Sequence, residues 1–159
     1  MVSNMLPYPT HHDRLGRLAD QLRLSSTLTP ELMANVIAET CIRLPALSRA
    51  LRADRIDRPV EVGAWTDAAL ALIELELPAW RLRRLLYEDG EWSCSLSSQP
   101  NLPAALDDTA DARHAALPLA ILSAFVEARR RTSPACENSS QRRHVQPSLC
   151  FAVCCENFA

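Results

Sequence analysis

The chain has no lysine: all 17 of its basic residues are arginine. GC-rich codon usage gives such a composition; the alternative is that guanidinium forks were selected to grip phosphate or carboxylate. A formal net charge of −2 argues against the phosphate reading, because nucleic-acid binders usually carry a basic surplus. No segment departs from this balance. Residues 65–131, for example, hold seven arginines against ten acids, so no stretch draws DNA or an anionic membrane. Glycine is confined to Gly16, Gly63 and Gly90. That scarcity excludes the phosphate-binding P-loop, the dinucleotide fingerprint and the nucleophile elbow. Aromatics are few, so core volume must come from aliphatic side chains. No apolar run reaches the ~20 residues of a membrane span. The amino terminus lacks the basic start and apolar run of a secretory signal. We therefore expect a soluble cytoplasmic protein that does not engage membranes.

What is present is 48% apolar content over 159 residues, enough for one modest core and too much for wholesale disorder. Asp13 can cap a first helix to about Leu24, with Leu15, Leu18 and Leu22 on one face. Thr29, Pro30 and Glu31 form a strong helix start, and an apolar stripe runs from Met33 to Leu51. Pro45 must kink or split that helix. The spacing thus predicts a helical arm over 1–53, a linker over 54–64 bearing Pro59 and Gly63, and a packing unit over 65–131. A disordered, cysteine-bearing tail is expected over 132–159.

Within the packing unit a helix opens at Trp65 or Thr66, points Leu70, Ile73 and Leu77 inward and Glu74 and Glu76 outward, and stops at Pro78. Residues 79–89 allow a helix or a strand. As a hairpin, Asp89-Gly90 supplies the two positive-φ positions of a type I′ turn. Trp92, Cys94 and Leu96 then alternate with Ser93, Ser95 and Ser97, the strongest period-2 signal in the chain. The turn sets Tyr87 opposite Trp92 and Leu85 opposite Cys94, but would set Arg83 against Leu96. One extra residue at Arg83-Arg84 brings Leu82 opposite Leu96 and keeps Trp80 and Tyr87 on the buried face, so the hairpin demands a β-bulge. Residues 99–112 read as a loop, and Pro118 starts a last helix to Arg131. The fold class is therefore α+β and mostly helical: an N-terminal helical hairpin plus an α-β-β-α unit. An all-α bundle is the alternative if 79–89 is helical.

Thr66, Asp67 to Leu70, Leu72, Ile73, Pro78, Trp80, Trp92 and the run Leu117 to Arg129 follow one another in an order that resembles a group of small phage and prophage proteins. The resemblance covers 65–131. It implies an α-β-β-α unit and no activity. Ala79 stands where that group has Gly, and Leu117 precedes Pro118 where it has Thr.

Four clusters could carry chemistry. His11, His12 and Asp13, with His114, are possible metal ligands, but adjacent histidines diverge on a helix and no ligand follows at i+4. Cys136, His144, Cys150, Cys154 and Cys155 lack the paired spacing of a zinc site. Asp107, Asp108 and Asp111 could hold a divalent cation for a metal-dependent hydrolase, although no second acidic cluster accompanies them. Arg81, Arg83 and Arg84 beside Trp80 and Tyr87 resemble a platform for single-stranded nucleic acid, but Glu88, Asp89 and Glu91 would repel phosphates. We assign no catalytic, cofactor-binding or metal-ligating residue. The function expected is a non-enzymatic accessory module whose partner is a protein, itself or another. Its motive is the apolar stripe of the arm, which needs a surface in cis or in trans.

Overall fold

A computed structural model describes residues 10–103 and 106–132. The expected readings at Cys136, His144, Cys150, Cys154 and Cys155 lie outside the described residues, as does the tail from residue 133.

The fold is α+β and mostly helical, and its core lies between a three-stranded sheet and the helices. Helix α1 (His11–Leu24) is opened by Thr10, not Asp13. The Thr10 hydroxyl accepts from the Asp13 N–H, and the Asp13 carboxylate accepts from Thr10 in return, a closed capping box. Helix α2 (Pro30–Thr40) starts as expected: the Thr29 hydroxyl accepts from the Leu32 N–H at 3.2 Å, and Pro30 sits where no amide hydrogen is owed. The arm does not stand away from the rest. Leu15, Leu18 and Leu22 are buried, and α1 packs on the last helix, so the stripe that called for a partner finds it in cis.

Helix α2 ends at Thr40, well before Pro45. The cause is Glu76, at the end of helix α5 (Trp65–Glu76). Its carboxylate is buried and accepts from three successive amides: Ile42 at 3.0 Å, Arg43 at 2.9 Å and Leu44 at 2.6 Å. Those N–H groups cannot also continue a helix, so the chain turns, and Leu44 drops into the core within a short 3₁₀ turn (Leu44–Ala46). Glu76 was expected at the solvent face, and this overturns it. Glu74 does face solvent and pairs with Arg55.

Residues 54–64, read from sequence as a linker, are largely helical. Helix α3 (Arg49–Arg52), a π turn (Ala53–Asp57) and helix α4 (Arg58–Glu61) run on without a break. Pro59 brings no amide hydrogen, and the wider turn just before it is closed by the Arg58 N–H on the Ala53 carbonyl. Ile56 is fully buried here, which ties the stretch to the core. Gly63, at φ 73°, then ends it with a left-handed residue.

The hairpin reading of 79–89 holds. Strands β1 (Arg81–Glu88) and β2 (Glu91–Ser97) are antiparallel, and Asp89 and Gly90 have φ values of 53° and 84°. Tyr87 pairs with Trp92, Leu85 with Cys94 and Leu82 with Leu96; Arg84 meets Ser95, so Arg83 is the extra residue of the bulge. A third strand, β3 (Thr109–His114), was missed; its first four residues fall in the stretch read as a loop. Its inward residues are Ala110, Ala112 and His114, too small or too polar to signal a strand, yet they fit against the close-packed helix α6 (Leu117–Thr132). The sheet order is β1-β2-β3, so the unit is α-β-β-β-α.

Replacing Glu76 tests the junction. Glu76→Ala leaves three amides, that of the buried Leu44 among them, without their acceptor and should cost about 2 kcal/mol in urea unfolding, while Glu76→Gln, which keeps one acceptor, should cost less. A loss below about 1 kcal/mol for the alanine variant would show that the turn does not depend on the carboxylate.

Candidate functional site

The sheet presents two surfaces. One face packs on the helices. The other is open, and its groove of about 650 Å³ is lined by Arg83, Arg84, Ser93, Ser95, Asp111 and Arg113, among others. Alternation puts these residues there: Arg84, Ser95 and Asp111 form one row across the sheet, and Leu86, Ser93 and Arg113 the next.

Part of the charge near this face is matched within the protein. Arg83 pairs with Asp107 and donates to the Leu102 carbonyl at 3.0 Å, which holds those two residues against the bulge. Arg81 donates to the carbonyls of Pro78 and Trp80. Of the three arginines proposed as a nucleic-acid platform, Arg84 alone points into the groove without an ion pair at its guanidinium among the described contacts. Trp80 lies in the core, with its indole N–H donating to the Thr132 hydroxyl at 3.1 Å. Tyr87 was expected in the core as well, but it is 58% exposed. It stacks at a tilt on Trp92 near the hairpin tip.

The three aspartates do not converge. Asp107 is buried against Arg83, Asp108 reaches Arg131 at 3.2 Å, and Asp111 accepts from the Thr109 hydroxyl at 2.6 Å. Burial works against the Asp111 charge, but hydrogen bonds from Thr109 and Ser95, with Arg131 and Arg84 nearby, hold its carboxyl below the usual range. His114 is on the opposite, core-facing side. Its Nδ1 accepts from the Ala116 N–H at 2.9 Å, so Nε2 carries the hydrogen and donates to the Ser25 carbonyl at 2.8 Å. Ser25 follows the last turn of α1, about 20 Å along that helix from His11 and His12. Among the described residues no group of three metal-ligating side chains comes together.

Both described cysteines sit where the thiolate is disfavoured. Burial pushes the Cys94 thiol up to about 12 and the Cys41 thiol up to about 11.

The second surface is the free edge of β1. Apart from the bulged Arg83, its residues pair with β2 on one side, and among the described residues no strand pairs with it on the other. Leu82, Leu86 and Tyr87 are 42%, 37% and 58% exposed along it. Sequence reasoning gave Leu82 and Tyr87 their partners Leu96 and Trp92, but register does not report whether anything lies over an edge strand.

Two measurements follow from these environments. In the native protein at pH 8, Cys94 should react with iodoacetamide on the order of a hundredfold or more slowly than in urea, read by peptide mass spectrometry. Asp111 titrates below its ordinary value of 3.8 in the folded state, so its stabilising share is present above that value and is lost as pH falls through the depressed one. Asp111→Asn should therefore be less stable than the parent at neutral pH, with the two converging in strong acid. No protein-family model matches the chain, and no curated protein or solved structure matches it either.

Proposed function

We propose that this chain is a non-enzymatic accessory protein of the cytoplasm that works by binding protein along the edge of β1. One observation carries the reading. Among the described residues an eight-residue edge strand has its outer side unpaired, with three large apolar side chains exposed along it. Native edges are usually short, covered or crowded with charge, and an open one is a template for strand addition. The arm no longer supplies a motive, because α1 and α2 are already packed in cis. Nor does the open face favour catalysis: its acids are separated and each is matched by a donor. An origin among phage-type proteins rests on the resemblance over 65–131. No described helix is long and apolar enough to cross a membrane, which suits the cytoplasmic reading.

Photocrosslinking tests this directly. A photoreactive amino acid placed at Tyr87 in the full-length chain should form adducts with protein in living cells. The same group at Arg113, on the open face, should give far fewer. Adducts to nucleic acid at Arg113 with none to protein at Tyr87 would replace this reading with the nucleic-acid one.

A further inference from the structure

The edge of β1 also says what can pair with it, and this step rests on the interaction reading above. The strand is electrically polar. Arg81, Arg83 and Arg84 fill its first half, and Glu88 closes its second. A parallel copy would set arginine beside arginine, whereas an antiparallel copy sets each basic end against an acidic one.

We propose that β1 pairs with β1 of a second copy of this chain across a two-fold axis through Leu85. The two sheets then merge into one of six antiparallel strands. On that axis Leu85 faces its counterpart, Arg84 lies opposite Leu86, Leu82 opposite Tyr87, and Arg81 opposite Glu88. Arg83 is passed over on both strands, as it already is against β2.

Side-chain direction selects this register. The bulge shifts the alternation, so Leu82, Leu85 and Tyr87 share the helix-facing side while Arg81, Arg84, Leu86 and Glu88 share the open side. In the proposed pairing every residue meets one from its own side. A slip of one residue would break this for all of them; a slip of two in one direction leaves Glu88 without an arginine, and in the other sets it against Arg84 but leaves Arg81 and Leu82 outside the ladder. The exposed Leu82 and Tyr87 of each copy cover one another, which removes from water the apolar surface that β1 leaves open. Arg81 can serve both roles. Its Nη1 holds the Pro78 and Trp80 carbonyls, and a guanidinium has five N–H donors in all. The surface is an isologous one, self-complementary by symmetry and closed at two copies.

Charge reversal tests it in the full-length protein. Sedimentation should show a monomer–dimer equilibrium for the parent, weakened roughly tenfold by Arg81→Glu and by Glu88→Arg, since each change spoils two pairs per dimer. Mixing the two variants should restore the dimer, because each new charge then meets its opposite. Far-UV circular dichroism confirms that each variant is folded. Amide exchange of the parent gives an independent reading, with β1 amides slowing as protein concentration rises. A parent that stays monomeric, with β1 exchange independent of concentration, would overturn self-pairing. So would a dimer indifferent to both reversals, or variants that mixing does not rescue. If Tyr87 crosslinks to a different protein while the parent is monomeric, self-pairing falls and the interaction reading stands; a crosslink to the chain's own tail overturns both.

Discussion

A single buried carboxylate organises the helical half of this protein. Glu76 sits at the carboxyl end of α5, where the helix dipole gives an anion no help, and out of reach of water. Such a charge survives burial only when hydrogen-bond donors surround it. The amides of Ile42, Arg43 and Leu44 do so, and in doing so they end α2 and redirect the chain. The redirected segment returns as the helical run over 49–61, which folds back on α5 and delivers Ile56 to the core. The position of the arm therefore follows from one side chain. Hydrophobic burial supplies the free energy, but it is non-directional and would not by itself choose this path.

Helix α6 plays the corresponding part for the sheet. Ala120, Ala124 and Ala128 on it are fully buried, and small side chains allow neighbouring elements to approach closely. The helix packs against α1, α5, β2 and β3 together. A core built on alanine needs few aromatics, in keeping with the composition. It also lets β3 exist with Ala110 and Ala112 as its inward residues. A strand is stable there because its partners are close, not because its own residues prefer it.

That distinction decides what could be read from the sequence. The hairpin was legible down to its bulge because the evidence was local: a turn dipeptide, strict alternation, and one misplaced arginine that only an inserted residue could repair. The starts of α2 and α6 were legible for the same reason. Glu76 was not, since a glutamate after an apolar helix face looks like any solvated acid until the turn 32 to 34 residues earlier in the chain is laid against it. The candidate sites failed in the same way. Arg83 looked available for phosphate because Asp107, 24 residues on, could be recognised as its partner only after β2 and the loop had folded back. The exposure of Tyr87 escaped because period-2 reasoning gives a face and never says how far the covering helices extend.

The two edges of the sheet are not equivalent, and this asymmetry makes β1 the one to consider. At β3 the strand is shorter, its outward residues are Thr109, Asp111 and Arg113, and α6 lies along it. Arg131 of that helix takes the Thr109 carbonyl, which removes part of the exposed backbone. At β1 the α5 residues Leu70, Ile73 and Glu74 share a groove with Arg81 and Leu82 only, and the safeguards along the strand are a bulge and four charges. Those safeguards do not forbid pairing; they restrict it. The bulge fixes which side chains share a face, and the separation of arginines from glutamate forbids a parallel neighbour. An edge defended by uniform charge would repel every orientation of a second copy. An edge whose charge changes sign along its length repels all but one, and the apolar residues between the charged ends then have a defined place to go.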